Sequence, residues 1–204
     1  MIDWENVITE TLNQDREEKE PSLDNTFGVY YAGYCPRQIY LSKTRLKDFP
    51  RAALGSMKVG TLFHNYIEEN ADVDVDFEKE FEFEEDGLVI RGRADAVGED
   101  AIYDFKSING MQYVDDAAHR NRAQLNVYMK AFGVDKGKLV FIDKGKMYVK
   151  EKSYEYSQDV YDSTMKKYHK VQKALDKHGV VDDPDDVPFE KCGCYLCNVE
   201  TLEI

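Results

Sequence analysis

Residues 88–107 have the sequence LVIRGRADAVGEDAIYDFKS, in which a polar turn separates two short β-strands. The first strand carries Asp95, and the second carries Asp104 and Lys106, which strand alternation places on one face. The turn Gly98-Glu99-Asp100-Ala101 can reverse the chain so that the two aspartates meet across an antiparallel pair. The pattern therefore predicts that two carboxylates and a lysine converge at one point of a sheet.

This group of side chains is typical of a site for a divalent metal ion. Paired carboxylate oxygens with open coordination positions suit Mg²⁺ or Mn²⁺, which polarises a phosphoryl oxygen and activates a water. Lys106 would orient that water or stabilise developing negative charge. The alternative is that Asp104 and Lys106 form an ordinary charge pair on a half-exposed strand, because Asp-x-Lys occurs often by chance. The catalytic interpretation therefore depends on the residues around the strand pair.

Three polar residues on predicted helices accompany the strand pair. Between residues 54 and 70, helical spacing relates the apolar residues Met57, Leu62, Phe63, Tyr66 and Ile67. This spacing places His64 on a helix near the core. Gln124 and Tyr128 lie four residues apart in a helix predicted over 115–132, so they share one face. The structural alternatives are a hydrogen-bonded core histidine and a glutamine and tyrosine that cap the edge of the core.

The remaining segments predict an α/β fold with a mixed sheet flanked by helices. Apolar residues alternate over 73–83, before the turn Asp86-Gly87, which indicates a strand and a hairpin. A second hairpin is predicted across Lys144-Gly145, and a long helix is predicted over 158–178. The alternation of strands and helices is typical of a sheet covered by helices.

The four cysteines form the second informative pattern. Cys35 precedes Pro36, a residue that suits the first helical turn, so Cys35 is expected at a helix start. Cys192, Cys194 and Cys197 lie within six positions of one another. Such clustering favours a metal site over disulfides, and four thiolates suit either an iron–sulfur cluster or structural Zn²⁺. Spacing alone does not choose between these metals, and four reduced structural cysteines are the remaining alternative.

The motifs together resemble those of a known group of nucleases. Four motifs of this chain resemble, in order and spacing, those of RecB-like nucleases in the restriction-endonuclease-like superfamily. They are His64, Gly92-Arg93-Ala94-Asp95, Asp104-Phe105-Lys106 and Gln124-Leu125-Asn126-Val127-Tyr128. With Cys35-Pro36-Arg37-Gln38-Ile39-Tyr40 and the terminal cysteines added, residues 27–197 resemble the CRISPR-associated exonuclease family of RecB type and its viral and stand-alone relatives. The resemblance implies a restriction-endonuclease-like core and an iron–sulfur subdomain formed by N- and C-terminal parts.

The resemblance also implies a role for each site residue. The implied metal ligands are His64, Asp95, Asp104 and the carbonyl group of Phe105. Lys106 would assist the attacking water, while Gln124 and Tyr128 would hold lysine, water or phosphate. The implied ligands of an iron–sulfur cluster, of the 4Fe-4S type, are Cys35, Cys192, Cys194 and Cys197. Asp104 stands where the family more often has glutamate, and the spacing of Cys192-Gly193-Cys194 is tighter than is common there.

The implied activity is Mg²⁺- or Mn²⁺-dependent hydrolysis of DNA, as an exonuclease on single-stranded ends. The resemblance places this activity in CRISPR spacer acquisition or in viral or repair DNA processing. The implied partners are DNA, CRISPR integrase proteins and further copies of the chain. The alternative is a non-catalytic module that retains fold and cluster and docks DNA or protein. The intact set of Asp95, Asp104 and Lys106 favours the enzyme.

Length and charge set the remaining expectations. The 204 residues suit one domain with appendages, and we expect a helical arm at 1–26, a nuclease domain at 27–181 and a cysteine-rich segment at 182–204. No apolar run approaches the roughly 20 residues of a membrane-spanning helix, and no signal peptide is evident, so we expect a cytoplasmic protein, in the host if viral. The net charge of -13 opposes DNA binding unless the negative charge lies away from the groove.

Overall fold

The computed structural model describes residues 3, 7, 11, 20–44, 51–181, 183–194 and 197. Within these residues one sheet contains β1 (Thr26–Gly28), β2 (Asp76–Glu85), β3 (Leu88–Val97), β4 (Ile102–Ile108), β5 (Lys136–Asp143) and β6 (Val149–Glu155). Four α-helices lie within residues 20–44 and 51–181: α1 (Pro36–Thr44), α2 (Arg51–Asn70), α3 (Val114–Phe132) and α4 (Gln158–His178). Short 3-10 helices span Val29–Gly33, Met111–Tyr113 and Pro184–Asp186.

Strand β3 organises one half of the sheet because it pairs with three other strands. Along one edge it pairs antiparallel with β2 through the turn Asp86-Gly87. Along the other edge of β3, β1 runs parallel to the first part of β3, up to the pair Gly28↔Arg91. On the same edge β4 runs antiparallel to the last part of β3, beginning at the pair Ala96↔Tyr103. Among the described residues, no strand pairs with residues 92–95 on that edge, so the sheet opens there.

The other half of the sheet is built around β5. Strand β4 pairs parallel with β5, α3 supplies the crossover between them, and β6 completes an antiparallel hairpin. Gly137 of β5 allows α3 to lie close, because a Cβ there would be 2.8 Å from Leu125 Cγ. This combination of parallel and antiparallel pairs confirms the predicted mixed sheet flanked by helices.

Helix α4 closes the core through an apolar stripe. Ser157 caps its start by accepting a hydrogen bond from the Val160 amide. Apart from the adjacent pair Thr164 and Met165, successive buried side chains are three or four residues apart: Tyr161, Thr164, Met165, Tyr168, Val171 and Leu175. The Tyr168 ring stacks on Phe27 with 4.7 Å between ring centroids. The last long helix therefore packs directly on the first strand.

The apolar spacing predicted helix α2 correctly, but three of the apolar residues do not pack in the core. Met57, Leu62 and Tyr66 are 57%, 66% and 63% exposed. The helix instead meets β4 through the side that carries Gly60, where a Cβ would lie 3.1 Å from Ser107 Oγ. The lack of a side chain at residue 60 is what lets helix and strand approach.

The C-terminal segment is held to α1 by an arginine. Arg37 donates from Nη1 to the Phe189 carbonyl at 2.7 Å and from Nη2 to the Pro184 carbonyl at 2.5 Å. Most of the predicted arm at 1–26, and residues 182, 195–196 and 198–204 of the predicted cysteine-rich segment, lie outside the described residues. The division into three parts stays a prediction. Among the described residues, no helix combines the length and the apolar character needed to cross a membrane.

Candidate functional site

The opening in the sheet begins at Gly92, where the 3-10 helix Val29–Gly33 lies against β3. A Cβ on Gly92 would overlap Val29 Cγ1 and would lie 3.1 Å from the ring of Phe81. A larger residue at position 92 would push the 3-10 helix away from the strand. The glycine of the Gly-Arg-Ala-Asp motif therefore has a packing role, three positions before Asp95.

Asp95 and Asp104 come together at the opening, as the turn between their strands predicted. The pair Ala96↔Tyr103 puts them at neighbouring register positions. The Phe105 amide donates to Asp95 Oδ2 at 2.6 Å, so the carboxylate accepts the bond that a paired strand would otherwise supply. Asp104 is fully buried and its Oδ1 accepts a hydrogen bond from Lys106 Nζ at 2.7 Å. The predicted convergence of two carboxylates and a lysine is present.

When both aspartates are ionised, Asp95 and Asp104 carry one negative charge more than Lys106 offsets. Burial and then the repulsion of Asp104 raise the pKa of Asp95 to about 7. Burial lowers the pKa of Lys106, but the attraction of Asp104 and Asp95 outweighs it, so the pKa is raised overall. Asp104 Oδ2 is buried and accepts no hydrogen bond from the described residues. An orphaned oxygen beside a second buried carboxylate fits a hard divalent cation.

His64 places a ring nitrogen at the same opening. Its Nε2 lies 3.0 Å from the Phe105 carbonyl oxygen, and its Nδ1 lies 3.6 Å from Asp95 Oδ1. Burial, followed by the nearby Lys106, lowers the pKa of His64 and favours the neutral ring. Because a carbonyl oxygen only accepts, the proton lies on Nε2 and the Nδ1 lone pair faces Asp95. Two adjacent ligands of one octahedral ion, each about 2.1 Å from it, lie about 3.0 Å apart, so His64 Nδ1 and Asp95 Oδ1 would need only a small shift to share an ion.

Glu78 is a further candidate ligand that the motif analysis missed. It lies in β2 between the pairs Phe77↔Ala96 and Lys79↔Ala94, opposite Asp95. Ligand atoms of His64, Glu78 and Asp95 all lie within 4.8 Å of one another. The carboxylate also pairs with Arg93, and its backbone has a φ of 50°, an uncommon value for a residue with a side chain. The register of the Asp86-Gly87 hairpin was the signal that could have found it.

Gln124 and Tyr128 brace the opening from α3. Gln124 Nε2 donates to the Tyr128 hydroxyl at 2.9 Å, and that hydroxyl donates to the Arg93 carbonyl at 2.9 Å. Tyr128 is buried, so its contact with the main chain of β3 is fixed. The two side chains therefore position the backbone two residues before Asp95, and a direct contact with water or phosphate stays a prediction.

The four cysteines from the N- and C-terminal parts come together, as their number and clustering predicted. Their Sγ atoms all lie within 4.8 Å of one another. Cys197 Sγ lies 3.5 Å from Cys35 Sγ and 3.7 Å from Cys192 Sγ. Hydrogen bonding from the Cys194 backbone lowers the pKa of Cys192 to about 7, which favours a thiolate. The arrangement can hold a metal ion.

Comparison with known proteins identifies the fold. No family model and no curated protein matches the chain. The chain is similar to the crystal structure of SSO0001, with a TM-score of 0.56 and 20% identity over 84% of this chain and 86% of that one. It is also similar to an alkaline exonuclease, LHK-Exo, from Laribacter hongkongensis, with a TM-score of 0.52 and 14% identity over 75% and 89% of the two chains. A complex of LHK-Exo with dAMP gives a TM-score of 0.50 and 15% identity over 76% and 90%. The chain therefore has the fold of a solved exonuclease, which confirms the predicted α/β architecture.

Proposed function

We propose that the chain is a metal-dependent DNA nuclease. The observation that carries this proposal is the convergence of His64 Nδ1, the Asp95 carboxylate and the buried Asp104–Lys106 pair where the sheet opens. The exonuclease fold supports it, because LHK-Exo shares this architecture. A nitrogen ligand, two carboxylates and a lysine are the groups that metal-assisted phosphodiester hydrolysis needs.

The proposed ligands of Mg²⁺ or Mn²⁺ are His64, Asp95, Asp104 and the Phe105 carbonyl, and Glu78 is added from its position opposite Asp95. When bound, the ion polarises a phosphoryl oxygen and lowers the pKa of a water. Lys106, which Asp104 holds at 2.7 Å, orients the attacking water and stabilises charge on the phosphate. Gln124 and Tyr128 keep β3 in position behind Asp95.

The proposed substrate is DNA, attacked at single-stranded ends. One of the similar exonuclease structures is a complex with dAMP, which supports a nucleotide-containing substrate for a site with this fold. The sequence resemblance to the CRISPR-associated exonucleases supports a role in trimming new spacers, or in viral or repair DNA processing. CRISPR integrase proteins and further copies of the chain are partners in the same proposal.

We also propose that the four cysteines hold a metal centre that joins the two ends of the chain. The sequence resemblance favours an iron–sulfur cluster of the 4Fe-4S type. The sulfur separations of 3.5 and 3.7 Å favour the second candidate, Zn²⁺, because ligands about 2.3 Å from one tetrahedral ion lie about 3.8 Å apart. A four-iron cube holds its thiolates on separate corners and would require the sulfurs to spread.

The second candidate function is a docking module without catalysis. The net charge of -13 favours it, because an acidic surface attracts basic proteins and repels nucleic acid. In this case the metal site would survive as part of the fold only.

A cleavage assay on the unmodified chain separates the two functions. A single-stranded oligonucleotide labelled at one end is incubated with Mn²⁺, with Mg²⁺ and with EDTA. A nuclease shortens the strand in Mn²⁺ or Mg²⁺ and leaves it intact in EDTA. An intact strand under all three conditions, from protein with a cooperative thermal transition, would contradict the proposed activity and leave the docking module.

A further inference from the structure

A cleft of about 600 Å³ lies between the metal site and the cysteines. Its described walls come from the 3-10 helix Val29–Gly33, the segment that follows it, α3 and α4. The aromatic, polar and basic side chains that line the cleft are those of Tyr30, Tyr34, Arg120, Asn121, Gln124 and Lys167. Cys35 and Cys194 form its far end. No mechanism described above uses this space.

Two side chains that line the cleft connect it to the candidate metal site. Gln124 lines the cleft and hydrogen-bonds Tyr128, which contacts the main chain of β3 beside Asp95. Tyr34 lines it as well and lies near enough to Lys106 for the two groups to interact electrostatically. The end of the cleft that carries Gln124 and Tyr34 is therefore the end nearest the candidate metal site.

The tyrosines offer a fixed aromatic surface at the mouth of the cleft. Tyr30 is 53% exposed, and its ring lies 4.1 Å from the ring of Tyr31 and 6.5 Å from that of Tyr34. Gly28 lies directly beneath it, where a Cβ would overlap the Tyr30 ring. One side of the ring is therefore packed on protein while the rest is open to solvent. Such a ring can stack with an unpaired base.

The charge of the cleft differs from that of the whole chain. Arg120 and Lys167 line it, and none of the described residues that line it is a carboxylate, although the chain carries 40 acidic residues. Lys167 donates to the Ala32 carbonyl at 2.5 Å and so holds the 3-10 helix in place. Arg120 is exposed and forms no ion pair with the residues that the structure describes. It is positioned to meet a phosphate.

A second groove on the other side of Tyr30 has a different character. It is lined by Arg91 and Arg93 but also by Glu80 and Glu82, and Arg93 already pairs with Glu78. Its acidic side chains would repel a nucleic acid backbone. The cleft that contains Arg120 is therefore the better path for an anionic strand.

We propose that the cleft binds single-stranded DNA, with an unpaired base stacked on Tyr30 and a backbone phosphate at Arg120. This inference rests on the proposed nuclease function and gives that site its substrate path. Stacking on a side-chain ring requires an exposed base face, which duplex DNA lacks except at its ends. The cleft therefore selects single strands and directs them to the metal ligands.

Binding of a fluorescein-labelled oligothymidylate, followed by fluorescence anisotropy without added divalent metal, tests the cleft. Tyr30→Ala should weaken binding roughly 5- to 150-fold, while Tyr30→Phe should retain it. Arg120→Gln should weaken binding and reduce the slope of log K against log salt by about 0.7. Tyr148→Ala is the matched control, since Tyr148 is 62% exposed and lies outside the cleft. Unchanged affinity in both Tyr30→Ala and Arg120→Gln would overturn the proposal.

A second readout separates this proposal from the nuclease itself. Hydrolysis of bis(p-nitrophenyl) phosphate by the unmodified chain in Mn²⁺ reports on the metal site itself, because this small diester is too short to span the cleft. In one outcome, the unmodified chain hydrolyses neither DNA nor bis(p-nitrophenyl) phosphate and still binds the strand through Tyr30 and Arg120. That result would support the cleft proposal and contradict the nuclease proposal. If the unmodified chain cleaves DNA, and Tyr30→Ala and Arg120→Gln bind DNA as tightly as the unmodified chain, only the cleft proposal is contradicted.

Discussion

Asp104 shows how burial sets the chemistry of single residues at this site. Its carboxylate is removed from water, yet only one oxygen has a protein partner, Lys106 Nζ at 2.7 Å. Bulk solvent does not reach the second oxygen, and Asp95 adds a further negative group beside it. The site is therefore costly as a purely structural charge pair and becomes favourable when a cation joins it. This is the physical reason for the metal-dependent account.

Glu78→Gln tests the added ligand, because it keeps the shape of the side chain and removes its charge. The variant should need more Mn²⁺ for half-maximal cleavage, or should cleave at least roughly 10- to 100-fold more slowly, because even groups that only support metal ligands have effects of this size. The measurement is the rate of strand cleavage against Mn²⁺ concentration. Glu80→Gln is the control, since Glu80 is exposed on the same strand. Identical curves for both variants would remove Glu78 from the ligand set.

At the scale of elements, glycines determine how closely the helices approach the sheet. Gly60 brings α2 onto β4, Gly92 admits the 3-10 helix Val29–Gly33, and Gly137 admits Leu125 of α3. These contacts hold the groups from different elements around one opening. The geometry of the site therefore depends on packing that lies outside the motifs themselves.

Leu125→Ala tests the contact between α3 and β5. Leu125 is fully buried, and its truncation leaves a cavity over Gly137, so the free energy of unfolding should fall by about 2–5 kcal/mol. Urea denaturation measures the change. His119→Ala, at an exposed position of the same helix, should change it by less than about 0.5 kcal/mol. Equal effects of the two variants would show that this packing does not stabilise the fold.

Much of the site could be predicted from sequence because strand period and turns fix register. The turn between β3 and β4 placed Asp95 beside Asp104, and alternation placed Lys106 with it. The register of the hairpin at Asp86-Gly87 also places Glu78 opposite Asp95, but Glu78 belongs to none of the motifs and was not predicted as a ligand. The face of α2 could not be predicted, since an apolar stripe does not reveal whether it meets a sheet or solvent. The metal of the cysteines could not be predicted because thiolates suit iron and zinc alike.

Across the described part of the molecule, the acidic residues of β2 and the proposed DNA path occupy different places. Glu80, Glu82 and Glu84 are exposed on β2, while the described walls of the Arg120 cleft carry no carboxylate. A chain with a net charge of -13 can bind an anionic strand if the acidic residues lie away from its path. The objection that composition raises against DNA binding is therefore reduced by the distribution of charge.

Cys197→Ala tests the metal centre that joins the N- and C-terminal parts. Loss of one thiolate should remove bound metal and lower the melting temperature, because metal binding contributes to folding. Metal analysis and visible absorption separate the candidates: an iron–sulfur cluster gives iron and colour, and zinc gives neither. Lys191→Ala, at an exposed neighbouring position, is the control and should retain both metal and stability. A Cys197→Ala protein with full metal content would contradict the ligation.

The central claim is tested most directly by single-strand cleavage in Mn²⁺ with Asp95→Asn and Lys106→Ala, beside Asp100→Ala in the turn between the same strands. Asp95→Asn keeps an acceptor for the Phe105 amide, so the fold should persist while metal binding is lost. Both site variants should cleave about 100-fold more slowly or worse, with unchanged far-UV circular dichroism, and Asp100→Ala should cleave normally. Undiminished cleavage by Asp95→Asn and Lys106→Ala would contradict the account.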